Sequence, residues 1–71
     1  MKFYDGSIKY ANAIKEALKD SGKTLTDFEK DRGISRGYVK RCMVGANHLS
    51  IDVIKDAERY LGIESIEDYV K

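Results

Sequence analysis

Three cations carry the most chemistry in this chain: Arg36, Lys40 and Arg41, within the stretch SRGYVKRCMVG. Laid out as a helix, Arg36, Gly37, Lys40, Arg41 and Val44 share one face by three- and four-residue spacing. Val39, Cys42 and Met43 share another. An outward row of cations over an inward apolar stripe suits a DNA major groove, where Arg forks onto guanine O6 and N7 and Lys reaches guanine or phosphate. Gly37 withholds side-chain bulk where such a helix would approach the duplex. Tyr38 falls between the faces, equally suited to packing and to a phosphate. The competing reading of the three cations is an ordinary solvated helix face.

Other chemistry is sparse. Cys42 is the one cysteine and His48 the one histidine, so the sequence has no disulfide framework and no CxxC site. A structural zinc would rest almost wholly on carboxylates, which is not how zinc is held. Cys42 reads as a small core residue, and His48 as a loop residue that is solvated or meets a phosphate. The sequence has no glycine-rich phosphate loop, no pairing of nucleophile with base and no carboxylate cluster. The expectation is a protein that is not an enzyme and needs no cofactor.

Composition bounds the class. The 71 residues carry 13 Lys and Arg against 12 Asp and Glu, a formal net charge of +1. That is not the bulk basicity of a protein that coats nucleic acid. The charge is unevenly placed, however. Residues 23–48 hold six bases against three acids, and residues 49–71 hold three bases against six acids. A basic centre is followed by an acidic end. No apolar run approaches a membrane span. The opening MKFYDGSIKY has an acid where a signal peptide needs an apolar stretch. The expectation is a soluble, cytoplasmic domain, with residues 1–6 as an arm whose Phe3 and Tyr4 pack back, and residues 7–71 as the folded unit.

The elements that must position the cations follow from periodicity and caps. The sequence has no proline and no sustained alternation, whereas 3.6-residue periodicity recurs. One helix runs from Ile8 to about Ser21, with Ser7 as N-cap and Gly22 as stop. A second lies in TLTDFEKDRG, where Thr26 and Glu29 match a capping box and Thr24 with Asp27 is a near version. Its N-terminus near Thr24 could receive a backbone phosphate. A third starts at Ser35 as N-cap and runs to Gly45, a fourth runs from Ser50 to Gly62, and a fifth short turn covers Ser65 to Val70. The spacing thus predicts an all-α bundle of about five short helices, with no internal repeat. The second and third helices meet across Arg32-Gly33-Ile34-Ser35, the sequence form of a helix-turn-helix.

At these residues the chain resembles the lambda-repressor-like, Cro/repressor type of helix-turn-helix domain, over roughly residues 8–66. GISRGYVKRCMVG is similar to that family's turn, recognition helix and closing glycine, and IDVIKDAERYLGI looks like its fourth helix. The resemblance implies a compact five-helix bundle that reads double-stranded DNA as a transcriptional regulator, most often a repressor. It places Ser35, Arg36, Gly37, Lys40 and Arg41 toward bases or groove, and Asn47 and His48 near phosphates. Three positions depart from the pattern: Glu29 and Glu58 stand where a small residue is usual, and Arg32 where an apolar one is. They imply an atypical core in which Glu29 or Glu58 pairs with Arg32 or Arg59.

Two further expectations concern partners. The acidic fourth and fifth helices read either as a solvated face that keeps the protein soluble or as a homodimer surface of Ile63, Ile66, Tyr69 and Val70. These four are more apolar than a terminal tail requires and would serve a reader whose one helix contacts few bases. The rival is a protein-interaction module on the same scaffold, an antirepressor or antitoxin-like partner without DNA binding. Near-neutral charge and Leu25 at the start of the second helix favour it.

Overall fold

The computed structural model describes residues 6–70. The expected packing of Phe3 and Tyr4 lies outside that range. Four α-helices, α1 (Ser7–Asp20), α2 (Leu25–Arg32), α3 (Tyr38–Met43) and α4 (Ile51–Leu61), are followed by one turn of 3-10 helix (Ile66–Tyr69). Among the described residues there is no strand, and no helix is long and apolar enough to cross a membrane.

α1 is the central element and packs chiefly against α3 and the 3-10 helix. Its inward residues Ala11, Ile14, Ala17 and Leu18 recur at three- and four-residue spacing and are all buried. The small alanines bring neighbouring backbones close, while Ile14 and Leu18 fill the middle. Phe28 from α2, Val39 and Cys42 from α3, Leu49 from the α3–α4 loop and Ile66 complete a core of fully buried side chains. Removing the Phe28 ring would cost about 3–5 kcal/mol, a large part of what a domain this small possesses.

The caps differ from the sequence expectation in three places. Gly6, with φ 115°, precedes α1 and supplies no side-chain cap. Ser7 is buried, and its Oγ accepts a hydrogen bond from the Leu49 N–H at 3.2 Å. Its hydroxyl satisfies a loop amide that Leu49 carries into the core. In α2 the cap is Thr24, whose Oγ1 accepts from the Asp27 N–H at 3.1 Å. Thr26 does not cap, because it already lies inside α2, two residues past the cap. Finally, α3 starts at Tyr38 and not after Ser35, so the connection from α2 spans residues 33–37.

Two glycines explain that connection. Gly33 (φ 68°) ends α2 in the left-handed region, and the Ile34 N–H then donates to the Glu29 carbonyl at 2.8 Å. Gly37 (φ 81°) turns the chain again directly before Tyr38. Positive φ at both positions costs other residues about 1–2 kcal/mol. Ile34 between them is half-buried against the core, which fixes the direction of the turn.

Candidate nucleic-acid interface

The N-terminus of α3 is held by a residue of the preceding helix. Glu29 is 3% exposed, and its carboxylate accepts from the Gly37 N–H (Oε1, 3.0 Å) and the Val39 N–H (Oε2, 3.2 Å). Two amides with no partner inside their own helix are thereby satisfied, and the negative charge lies at the positive end of the helix. The expected pairing of Glu29 with Arg32 or Arg59 does not occur. Arg32 instead pairs with Asp31 at 3.4 Å and lies 5.9 Å from the Tyr60 ring centroid, with Lys23 over the same ring at 5.4 Å. Arg59 reaches Asp56 at 3.9 Å.

Glu58 repeats the device. Its Oε2 accepts from the Ile66 N–H at 2.9 Å, across the same eight-residue separation that links Glu29 to Gly37. In both places a glycine at φ 68° stands four residues after the glutamate, followed by isoleucine: Glu29-Lys-Asp-Arg-Gly33-Ile34 and Glu58-Arg-Tyr-Leu-Gly62-Ile63. The two glutamates at atypical positions are therefore long-range caps. The repeated Glu-x-x-x-Gly-Ile spacing is the sequence signal for them.

On this anchored frame the predicted residues separate into groups. Ser35, Arg36, Lys40 and Arg41 are exposed on the turn and the outer side of α3. Val39 and Cys42 on its inner side are at 0% exposure. Arg36, Lys40 and Arg41 are thus all accessible, and the half-buried Gly37 lies beside the Arg41 guanidinium. The Arg41 Nη1 donates to the Arg36 carbonyl at 3.3 Å. Asn47 is half-buried in the loop after α3, and the amide orientation that satisfies both of its neighbours is the one in which its oxygen accepts from the Arg41 Nε at 3.0 Å and its nitrogen donates to the Ala46 carbonyl at 3.1 Å; we assign that orientation.

Tyr38 is committed to structure. Its hydroxyl donates to the His48 carbonyl and accepts from the Ser50 N–H at 3.0 Å. The Cys42 thiol donates to the same His48 carbonyl at 3.3 Å. Burial pushes both the Tyr38 phenol and the Cys42 thiol above their ordinary pKa values. His48 is half-buried, and its backbone is the anchor on which α3 holds the loop. Thr24 is exposed at the start of α2, with its hydroxyl occupied by the cap.

The residues expected at a dimer surface do not stay together at the surface. Ile66 is 0% exposed and belongs to the core, where it faces α1 from the 3-10 helix. Ile63, Tyr69 and Val70 are half-buried and packed against that core. Among the described residues, the large apolar side chains that are exposed lie elsewhere: Val44 at 74%, Ile51 at 55% and Ile8 at 49%. Among the described residues no group of three or more His, Cys, Asp or Glu side chains is placed to hold a metal. Compared with protein-family models, curated proteins and solved structures, the chain matches none.

Proposed function

We propose that this chain is a sequence-specific reader of double-stranded DNA, a transcriptional regulator and most simply a repressor of the Cro/repressor type. In this reading α2 and α3 form a helix-turn-helix, and the chain acts as a homodimer on an inverted repeat. The observation that carries it is the exposed set of Arg36, in the turn, and Lys40 and Arg41, on a short helix whose Val39 and Cys42 are buried on the opposite side. That helix is also pinned at its N-terminus by the Glu29 carboxylate. Cations that read bases need a rigid platform, because a flexible one loses binding free energy to ordering.

Mechanistically, the turn at Ser35–Gly37 and the outer side of α3 enter the major groove. Arg36 and Arg41 contact base edges, and Lys40 contacts a phosphate or a guanine. The loop carrying Asn47 and His48 runs beside the backbone, and the acidic end of the chain faces away. A titration of duplex DNA across salt concentrations tests the electrostatics. A protein that neutralises several phosphates loses affinity steeply with salt, and Lys40→Ala lowers that slope by about one if it meets a phosphate. A flat dependence would remove the proposal.

One observation favours a second reading, a protein-interaction module. Val44 follows α3 and is 74% exposed, and the Ile8 side chain lies against the adjoining Gly45. Exposed apolar groups beside cations suit a protein partner, and such an interface would hold its affinity as salt rises.

A further inference from the structure

We infer that Asn47 is a positioning residue for Arg41, fixing its guanidinium in the pose from which it reads a guanine; this rests on the DNA-binding reading above. Three observations meet at Arg41. Its Nη1 donates to the Arg36 carbonyl at 3.3 Å. With the Asn47 amide assigned so that neither of its atoms faces a like group, the Arg41 Nε donates to the Asn47 side-chain oxygen at 3.0 Å, and the Asn47 nitrogen donates onward to the Ala46 carbonyl at 3.1 Å. A Cβ built at position 37 would stand 3.3 Å from Nη1, so the absent side chain of Gly37 leaves the space the guanidinium occupies. The backbone reinforces the arrangement: the Ala46 N–H donates to the Arg41 carbonyl at 2.9 Å, tying the loop back to the residue it orients.

The chemistry follows from what these bonds leave over. A guanidinium has five N–H donors in one plane. Two are spent on Arg36 and Asn47, and both hydrogens of Nη2 with one on Nη1 remain for an outside acceptor pair. Guanine offers O6 and N7 to such a fork, whereas adenine places its N6 donor where O6 would be. A phosphate can also take an arginine fork, but it is the same at every base pair, so only a base edge turns a fixed guanidinium plane into sequence preference. An arginine clamped in advance also surrenders less rotamer freedom on binding. Asn47 therefore acts on base discrimination through Arg41, without touching the base itself.

The test uses the duplex that the wild-type chain selects from a random pool, together with variants carrying one G·C to A·T change at each position. Affinities are measured for wild type, Arg41→Lys, Asn47→Ala and Asn47→Asp. The expected result is that Arg41→Lys and Asn47→Ala lose discrimination at the same G·C pair, by about tenfold, and keep it at the others. Asn47→Asp, which retains the acceptor, restores the ratio at that pair even where its charge lowers affinity throughout. Unchanged discrimination in Asn47→Ala, a uniform loss at every position, or a loss that Asn47→Asp leaves unrestored would overturn the inference. If the wild-type chain selects no sequence, the DNA-binding reading itself fails, and the inference falls with it.

Discussion

Glu29 and Val39 are joined by a buried hydrogen bond: Oε2 of the carboxylate accepts from the Val39 N–H at 3.2 Å, while Oε1 takes the N–H of Gly37 at 3.0 Å. The α2–α3 angle is thereby set by a side chain as well as by the turn. A six-residue helix cannot sustain itself on propensity, so its orientation has to come from tertiary contacts such as this one. Glu29→Ala leaves two amides at a buried helix end without acceptors and should cost about 2–4 kcal/mol. Glu29→Gln keeps one acceptor oxygen and should cost about half as much. Urea denaturation measures both, and equal, small losses in the two variants would show that the carboxylate does not hold α3.

Glu58 performs the same task at a half-exposed site, where water can replace the missing acceptor. Glu58→Ala should therefore cost only about 1 kcal/mol. The ratio of the two alanine variants, read from the same denaturation curves, tests whether burial and not charge sets the size of the effect.

Tyr38→Phe removes a donor to the His48 carbonyl and an acceptor for the Ser50 N–H, and should lose about 1–2 kcal/mol. The pH dependence has a definite sign. Burial raises the folded-state pKa of Tyr38 above the unfolded value of about 10. Its contribution is fully present below that value and is lost as pH climbs through the folded pKa, since the unfolded chain ionises first. Thermal melts from neutral to strongly alkaline pH should decline less steeply for Tyr38→Phe than for wild type. An identical decline would mean that the phenol is not held in its neutral form.

Ile66→Asp places a charge in the core and should unfold the domain, at a cost of about 4 kcal/mol. Surface variants at Val70 or Ile63 should leave it folded, because both are only half-buried. Circular dichroism separates the two outcomes. Any self-association is then to be sought with variants of exposed residues, never with Ile66.

Much of the fold was legible because its signals are local. Thr24, Ser50 and Ser65 each accept from an amide two or three residues on, and Gly33 and Gly62 each close a helix at positive φ. The start of α3 was not legible by the same rule. Ser35 satisfies the pattern of an N-cap, yet the cap comes from Glu29 across eight residues between Glu29 and Gly37. Ser7 failed for a related reason: its hydroxyl serves Leu49, 42 residues away. At the candidate site, helical spacing accounts for the exposure of Lys40 and Arg41 on α3, whereas Arg36 stands in the turn before the helix, where that spacing does not apply. The occupation of Tyr38 by loop backbone depends on where the chain returns after Gly45, which spacing within one helix does not encode. The burial of Ile66 depends on the closure of the last turn over α1, so an apolar residue near the chain end read as a surface residue.

The central claim is that the exposed cations on and before α3 read a DNA sequence, and selection from a random duplex pool at about 0.15 M salt, near the physiological range, tests it most directly. The account predicts enrichment of a short inverted repeat with guanines in each half-site. Arg36→Ala should then weaken binding by about 1–3 kcal/mol and relax preference at one position. A folded protein that enriches no sequence would contradict the account, and the exposed Val44 and Ile8 would then direct the search toward a protein partner.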